Sequence, residues 1–163
     1  MTERKALYAG SFDPYTRGHH AIVRKAACLF DQVDVLIGIN TAKKRRFDAE
    51  AMEEAIDSAL RMDGILNVRV VRFEGLVADY CAKNGIEWYV RGLRNALDYA
   101  YEENNAQVNQ LINPGLETIY LRASEPAISS TMVRELLDFG QDVSKYVPPS
   151  VGLLILEHSH QGR

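Results

Sequence analysis

Short apolar segments alternate with amphipathic segments along almost the whole chain, and this alternation constrains the fold more than any other feature. The run 33–39 is rich in Val and Ile and nearly unbroken, which is typical of a strand covered on both faces. Further strands are predicted over 5–9, 68–73, 87–90 and 117–121. Strands that are buried on both faces belong to parallel sheets, in which a helix carries the chain from one strand to the next.

Helical periodicity fills the segments between these strands. Apolar residues recur at helical spacing from Met52 to Leu60, and Asp48 is placed to cap that helix. The other helices are predicted over 19–30, 76–83, 98–112, 129–139 and 150–158. We therefore expect an α/β fold: one doubly wound, five-stranded parallel sheet with helices on both faces. A chain of 163 residues suits a single domain over 1–163.

Composition excludes several classes of protein. The 19 Lys and Arg residues against 22 Asp and Glu give a net charge of -3, which argues against a protein built around non-specific nucleic-acid binding. Two cysteines, Cys28 and Cys81, are too few for a disulfide scaffold or a cysteine zinc cluster, and both are expected to be buried free thiols. The chain starts without a signal-peptide pattern and has no apolar run approaching the ~20 residues of a membrane span. These features predict a cytoplasmic protein without a membrane partner.

Common motif explanations do not fit. Gly10 and Gly18 have no glycine between them, so neither the dinucleotide-binding fingerprint nor the Walker A pattern is present. Ser11 lacks the glycine context of a hydrolase nucleophile. His158 and His160 lie in a polar tail with no carboxylate or thiol placed to complete a metal site, and we expect that tail to be frayed and solvated. No protein-held metal is predicted.

Polar residues collect in the segments that follow the predicted strands. In a parallel sheet these segments share the edge at which ligands bind, and helix N-termini there offer free N–H groups and a positive dipole end. The pattern therefore predicts a polyphosphate site. Its candidate residues are, in chain order, Gly10, Ser11, Gly18, His19, Lys43, Arg91, Arg94, Ser129, Ser130 and Thr131.

The order of these residues resembles a known family. Gly10-Ser-Phe-Asp-Pro14 followed by Thr16-Arg-Gly-His19 is similar to the T/H-x-G-H signature of the nucleotidyltransferase superfamily. The later landmarks resemble the bacterial phosphopantetheine adenylyltransferases in order and spacing, from the first strand to about Pro149. These landmarks are Lys43, Arg91-Gly-Leu-Arg94, Tyr101-Glu102, Asn109, Ile128-Ser-Ser-Thr131 and Val133-Arg134.

The resemblance implies a Rossmann-like nucleotidyltransferase fold and an activity. Members of that family transfer AMP from ATP to 4′-phosphopantetheine, giving dephospho-coenzyme A and pyrophosphate in coenzyme A biosynthesis. The implied cofactor is Mg²⁺, held by the substrate phosphates rather than by the protein. The implied assembly is a cytoplasmic homohexamer whose partners are the two small-molecule substrates.

The resemblance also implies residue roles. The catalytic residues would be Ser11, His19, Lys43 and Arg91. The acceptor, phosphopantetheine, would be bound by Ser11, Lys43, Leu76, Val77, Arg91 and Asn109. ATP would be bound by Gly10, Ser11, Phe12, His19, Arg91, Gly92, Arg94, Glu102, Ile128, Ser129, Ser130 and Thr131.

The sequence departs from the usual family pattern at several positions. Ala9 stands where the family commonly has proline, and Ser11 stands where many members have threonine. Ala100 replaces a frequent acidic residue, and Asn104-Asn105 falls where a leucine often meets pantetheine. The segment 44–46 is more basic than usual, and we expect Arg45 and Arg46 to lie in a solvated loop.

The chemistry of such a transfer suits these residue types. A phosphate monoester carries about -1.5 to -2 charge at neutral pH, so pushing it against a triphosphate requires compensating positive charge. Lys43, Arg91, Arg94 and a protonated His19 are expected to supply that charge beside Mg²⁺. The acceptor phosphate is already a nucleophile, so we expect direct in-line attack on the α-phosphate without a covalent enzyme intermediate.

Three alternatives stay open at this point. The acceptor could be another phosphate-bearing molecule, such as nicotinate mononucleotide or glycerol phosphate. The chain could be a nucleotide-binding sensor without turnover. The basic run 43–46 could bind RNA, although the net charge and the lack of interleaved aromatic residues argue against that function.

Overall fold

The computed structural model describes residues 2–161. It contains one sheet of five parallel strands in the order β3-β2-β1-β4-β5. The strands are β1 (Lys5–Gly10), β2 (Gln32–Gly38), β3 (Val68–Phe73), β4 (Trp88–Leu93) and β5 (Glu117–Arg122). The helices are α1 (Arg17–Leu29), α2 (Ala49–Met62), α3 (Val77–Asn84), α4 (Ala96–Ile112), α5 (Ser130–Asp138) and α6 (Pro149–Gln161), with a short 3₁₀ turn at Ser144–Tyr146.

Helices cover both faces of the sheet, as the apolar strands predicted. In β1, Ala6 and Tyr8 point into a core built with α1, α2, α5 and α6, whereas Leu7 and Ala9 point into a second core built with α3. Helix α4 packs beside α3 on that second face. The doubly wound five-stranded parallel sheet is therefore confirmed. Its strand order reverses between β1 and β4, which is where sheets of this type bind ligands.

Helix starts differ from the predicted bounds because capping residues set them. Asp48 caps α2 as expected, and its carboxylate accepts a hydrogen bond from the Ala51 N–H at 2.9 Å. Helix α4 begins at Ala96 rather than at residue 98, because Asn95 is its N-cap. Helix α6 begins at a proline, which suits the first helical position since its missing N–H would have no helical partner.

One prediction of a buried side chain and one prediction of a frayed segment are wrong. Cys81 is buried, and burial raises its thiol pKa to about 12, but Cys28 is exposed. Cys28 lies two residues after the buried Ala26, and therefore about 200° around α1 from the face that packs on the sheet. The His158–His160 segment is exposed, as expected, but it is not frayed. It forms the last turn of α6, where the His158 and Phe47 ring centroids lie 5.1 Å apart.

The buried carboxylate of Asp34 was not predicted, because it lies within an otherwise apolar strand. The Asp34 carboxylate in β2 is 1% exposed, pairs with the Arg69 guanidinium at 2.8 Å and accepts a hydrogen bond from the Tyr80 hydroxyl at 2.8 Å. Burial alone would raise the pKa of Asp34, but the hydrogen bonds from Arg69, Gln32 and Tyr80 lower it overall. The ion pair thus joins β2 to β3, and the Tyr80 hydrogen bond connects α3 to β2. None of the helices formed by residues 2–161 combines the length and apolarity needed to cross a bilayer.

Candidate active site

A cavity of about 350 Å³ opens at the carboxyl edge of the sheet, at the reversal point between β1 and β4. Its walls come from the ends of those two strands and from the N-terminal turns of α1 and α5. All the residues that the sequence assigned to ATP lie around it. They are Gly10, Ser11, Phe12, His19, Arg91, Gly92, Arg94, Glu102, Ile128, Ser129, Ser130 and Thr131.

Glycine lets the two helix N-termini approach each other. A Cβ at Gly18 would lie 3.1 Å from the carbonyl oxygen of Ile128, which is tighter than most side chains tolerate. A Cβ at Gly10 would meet the Phe12 ring at 3.1 Å. Phe12 itself is buried and holds a positive φ of 43°, so it folds back beneath the loop that follows β1. The small residues of this signature therefore shape the cavity.

His19 is held in one orientation by local contacts. Its Nδ1 accepts a hydrogen bond from the Thr16 backbone N–H at 3.0 Å, while the Thr16 hydroxyl caps the helix at the His19 N–H. The ring stacks on Tyr15, with centroids 5.7 Å apart and planes 28° apart, and meets the Phe12 ring edge-on. Because Nδ1 is an acceptor, the neutral ring carries its proton on Nε2. His19 therefore offers one N–H donor from the first turn of α1.

The protonation state of His19 differs from the expectation. Burial, and then the positive charges of Arg91 and Arg94, lower the pKa of His19 to about 4. The imidazole is therefore neutral at pH 7 in the free protein, and it does not supply positive charge. Its contribution is a directed hydrogen bond, while the fixed positive charge of the cavity comes from the arginines.

An NMR titration of the His19 ring in the free protein should show a midpoint at about pH 4, well below the ordinary 6.5. The unfolded chain takes up a proton here that the folded chain excludes, so stability should fall as pH drops from 6.5 towards 4. Above 6.5 this contribution is constant. A His19→Gln variant lacks that component, and its acid unfolding should be correspondingly less steep in this window. A His19 midpoint near or above 6.5 would contradict the assignment.

Arg91 and Glu102 are paired with each other. The guanidinium donates from Nε and Nη2 to the two carboxylate oxygens, both at 2.8 Å, and from Nη1 to the Ala9 carbonyl and the Tyr89 hydroxyl. Burial acts to lower the pKa of Arg91, but Tyr89 and Glu102 outweigh it and the pKa is raised overall. One N–H on Nη2 has no hydrogen bond to the described residues. Both residues were predicted as ligand contacts, but their first role in the structure is to brace β4 against α4.

Arg94 and the residues of α5 form the outer wall of the cavity. The Arg94 guanidinium pairs with Asp98 at 3.0 Å but remains about half exposed, and the pair raises the pKa of Arg94. The Ser129 hydroxyl caps α5 by accepting from the Met132 N–H at 3.1 Å, and the Ser130 hydroxyl donates to the Pro14 carbonyl at 2.8 Å. These hydroxyls are committed to the fold. The groups left for a ligand are the first backbone N–H groups of α5, which suit an anion.

The sequence did not predict a set of hydrogen bonds and ion pairs that hold the loop following β1. The Asp13 carboxylate accepts hydrogen bonds from the backbone N–H groups of Arg46 and Phe47, both at 2.9 Å. The Arg45 guanidinium donates to the Ser11 carbonyl at 2.6 Å, and Arg46 pairs with Asp138. The prediction that Arg45 and Arg46 lie in a solvated loop is therefore wrong. Arg45 ties the segment after β2 to the segment after β1, and Arg46 ties it to the end of α5. The basic run alone could not distinguish these readings.

Of the six residues assigned to the acceptor, Ser11 and Arg91 line the cavity, and the other four lie outside it. Lys43 is exposed, in the loop that Arg45 ties to β1. Leu76 is exposed directly before α3, and Val77 packs into the second core. Asn109 lies about two turns beyond Glu102 on the same face of α4, which packs against α3. The structure thus brings together the residues assigned to the nucleotide and leaves these four outside that cavity.

No metal-binding cluster is found among residues 2–161, since no three His, Cys, Asp or Glu side chains come together suitably. The carboxylates lining the cavity are each paired with an arginine: Glu102 with Arg91, Asp98 with Arg94, and Glu125 with Arg17. The donor set of the cavity therefore suits an anion rather than a cation held by the protein alone.

Comparison with known proteins agrees with this geometry. Residues 7–136 match the family described as cytidylyltransferase-like. A phosphopantetheine adenylyltransferase of Latilactobacillus sakei is 40% identical over all of this chain and 99% of its own length. One of Thermotoga neapolitana is 38% identical, covering 97% of this chain and 98% of its own.

A solved structure shares the fold at lower identity. It is described as a nicotinate-nucleotide adenylyltransferase from Vibrio parahaemolyticus, superposes with a TM-score of 0.72 at 21% identity, and covers 96% of this chain and 93% of its own. That likeness concerns the architecture alone. The extent and identity of the sequence matches show family membership as well as fold. The chain belongs to the cytidylyltransferase-like family and, within it, to the phosphopantetheine adenylyltransferases.

Proposed function

We propose that this chain transfers the adenylyl group of ATP to 4′-phosphopantetheine, forming dephospho-coenzyme A and releasing pyrophosphate. The observation that carries this proposal is the shared location of the residues assigned to ATP, around one cavity between two helix N-termini. Family membership supports the substrate pair, since the similar proteins are named phosphopantetheine adenylyltransferases.

The chemistry of the cavity walls supports a position for the triphosphate between the two helix N-termini. The free N–H groups at the start of α5 and the Arg94 guanidinium suit the β- and γ-phosphates, because both donate hydrogen bonds to anionic oxygens and carry positive charge or a positive dipole end. The Nε2–H of His19 suits an α-phosphate oxygen, where charge rearranges during transfer. The neutral His19 ring can take up positive charge once a triphosphate lies beside it, because a nearby anion raises the pKa of a histidine.

The acceptor phosphate is assigned to the Lys43 side of the site. Lys43 lies in the loop held against the Ser11 and Phe12 carbonyls by Arg45, so its ammonium belongs to the same edge of the sheet as the cavity. A phosphate there lies beside Ser11, while the pantetheine arm extends towards α3 and α4 and their residues Leu76, Val77 and Asn109. In this arrangement Arg91 acts mainly through the Glu102 pair, with one N–H left for a phosphate.

The reaction is a single in-line displacement. An oxygen of the acceptor phosphate forms a bond to the α-phosphorus, and the bond from that phosphorus to the bridging oxygen breaks, so pyrophosphate leaves with the electron pair. No proton has to move, because the attacking phosphate is already anionic. The protein contributes alignment, which can supply roughly 7–11 kcal/mol, and preorganised donors at the shifting charge.

Mg²⁺ enters this proposal as part of the MgATP substrate. It neutralises charge on the triphosphate, and no carboxylate of the cavity is needed to hold it, since each is paired with an arginine. The cytoplasmic location and the homohexamer implied by the resemblance belong to the same proposal.

Lys43→Ala should lower kcat/KM for phosphopantetheine by roughly 10- to 150-fold, which is the range for one lost charged hydrogen bond. KM for ATP should change by less than about twofold. Lys44→Ala is the matched control, because both lysines are exposed neighbours in one loop and only Lys43 is assigned to the acceptor. Equal effects of the two substitutions on phosphopantetheine kinetics would contradict the assignment.

The acceptor itself is tested by incubating the protein with MgATP and one phosphate compound at a time while following pyrophosphate release. Phosphopantetheine should give release, with dephospho-coenzyme A identified by mass. Release with nicotinate mononucleotide or glycerol phosphate alone would overturn the acceptor. ATP binding without release for any acceptor would favour a sensor, and salt-sensitive RNA retention would favour nucleic-acid binding.

A further inference from the structure

We propose that Tyr15, His20 and Asp63 form a positioning chain that fixes the ring of His19. This inference deepens the proposed function, and it rests on that function for its kinetic consequence. It arises from a hydrogen-bonded set of polar groups that no step of the adenylyl transfer uses: Tyr15 and His20 are buried, and Asp63 lies at the surface.

The chain has three members in direct contact. The Tyr15 hydroxyl lies 3.0 Å from Nδ1 of His20, and Nε2 of His20 lies 2.7 Å from the Asp63 carboxylate. Asp63 also accepts from the Arg24 guanidinium at 2.5 Å. Its hydrogen bonds with His20 and Arg24 lower the pKa of Asp63, so it is a carboxylate at neutral pH. An ionised Asp63 favours a proton on Nε2 of His20, which leaves Nδ1 free to accept from the Tyr15 hydroxyl.

These contacts hold α2 and the loop before α1 in fixed positions relative to α1, whose first turn lines the cavity. Asp63 is the residue that ends α2, whereas His20 lies in the first turns of α1, directly after His19. Tyr15 is 0% exposed and His20 only 8%, so water competes little for the hydrogen bond between them. Burial raises the pKa of Tyr15 well above its usual value, and the hydroxyl keeps its proton. The end of α2 is thereby connected to the loop that enters α1.

The far end of the chain contacts the group that donates in the transfer. Tyr15 stacks on the His19 ring at 5.7 Å, while Thr16 holds its Nδ1. The Thr16 bond fixes one atom of the imidazole, and the Tyr15 face fixes its plane, so together they set the direction of Nε2–H. A donor must be aimed closely at the shifting charge to act on the transition state. Tyr15 and His20 are thus positioning residues, and His19 is the group that touches substrate.

The test uses variants that remove single bonds of this chain. Tyr15→Phe keeps the stacked ring and deletes the hydroxyl, and His20→Leu deletes both bonds at similar volume. Each should lower kcat by about fivefold with KM for ATP unchanged within twofold, the size expected for one lost hydrogen bond. The double variant should lose little more than either single variant, because both changes break the same chain.

Tyr80→Phe is the matched control. Like Tyr15→Phe, it deletes one buried, hydrogen-bonded tyrosine hydroxyl, here the one that donates to Asp34. Tyr80 lies on the opposite face of the sheet from Tyr15. It should lower stability while leaving kcat within twofold of the wild type. If Tyr15→Phe and His20→Leu lower stability to a similar extent without lowering kcat, the chain serves packing only and the proposal is overturned.

A readout without turnover separates this inference from the proposed function. In NMR spectra of the ligand-free protein, the ring resonances of His19 should move in His20→Leu, whose substitution reaches His19 through Tyr15, and should stay in place in Tyr80→Phe. Unmoved His19 resonances in His20→Leu would overturn the positioning chain. Loss of the proposed function would instead appear as a wild-type protein that binds ATP but releases no pyrophosphate with phosphopantetheine.

Discussion

His19→Ala is expected to lower kcat by about 10²–10³ while changing KM for ATP by less than about tenfold. The reason is that His19 offers a single directed N–H in the neutral state, whereas we also expect ATP to contact Arg94 and the backbone N–H groups at the start of α5. A donor that acts where charge shifts stabilises the transition state more than the bound substrate. Steady-state kinetics with MgATP and phosphopantetheine measure both constants.

A second substitution separates catalysis from helix capping. His19→Ala also removes half of the capping box with Thr16, which should cost about 1 kcal/mol of stability. His19→Gln can restore the cap, because glutamine at this helix position accepts from the N-cap backbone N–H. We expect it to recover stability but not full turnover. His160→Ala, an exposed histidine in α6, should leave both unchanged. Equal losses of kcat and of ATP affinity in His19→Ala would instead indicate a binding protein.

Glu102→Ala is expected to lower the free energy of unfolding by about 3–5 kcal/mol, because it leaves the mostly buried Arg91 guanidinium without its bidentate partner. The side chains of the pair are 24% and 10% exposed, so water offers little compensation. The pair also connects β4 to α4, and its loss should loosen the wall of the cavity. Urea unfolding at neutral pH measures the change.

Two comparisons make this result specific to a buried pair. Asp57→Ala breaks the exposed pair with Arg61 along α2 and should cost less than about 1 kcal/mol. Replacing both members together, as Arg91→Met with Glu102→Leu, should recover much of the stability but not the activity, since no charge is then left buried alone. A loss in Glu102→Ala no greater than that in Asp57→Ala would contradict the structural role of the pair.

Local sequence pattern predicted the sheet and one shared polyphosphate site at its edge, and the assignment of ATP to that site came from the family resemblance. The Val- and Ile-rich run of β2 and the helical spacing of α2 each indicate their own structure, and parallel connection then brings the segments after the strands to one edge. Residues as distant as Gly10 and Ser129 could therefore be assigned to one site without knowing any contact between them.

Other properties depend on contacts between distant residues and could not be predicted. The neutral state of His19 arises from burial and from arginines on β4 and the loop after it, and the Arg91–Glu102 pair joins a strand to a helix. Cys28 was expected to be buried because its neighbours are apolar, but the helix rotates it outward. In each case residue type indicated the chemistry that was available, and only packing decided how it was used.

The central claim is best tested by a structure with Mg²⁺, phosphopantetheine and an ATP analogue whose α,β-bridging oxygen is a methylene group, so that transfer cannot occur. We expect an acceptor phosphate oxygen about 3–3.5 Å from the α-phosphorus, opposite the leaving group. We also expect Nε2 of His19 and the first N–H groups of α5 to lie within hydrogen-bond distance of the triphosphate. A triphosphate bound away from both helix N-termini, or an acceptor phosphate on another side of the sheet, would contradict the account.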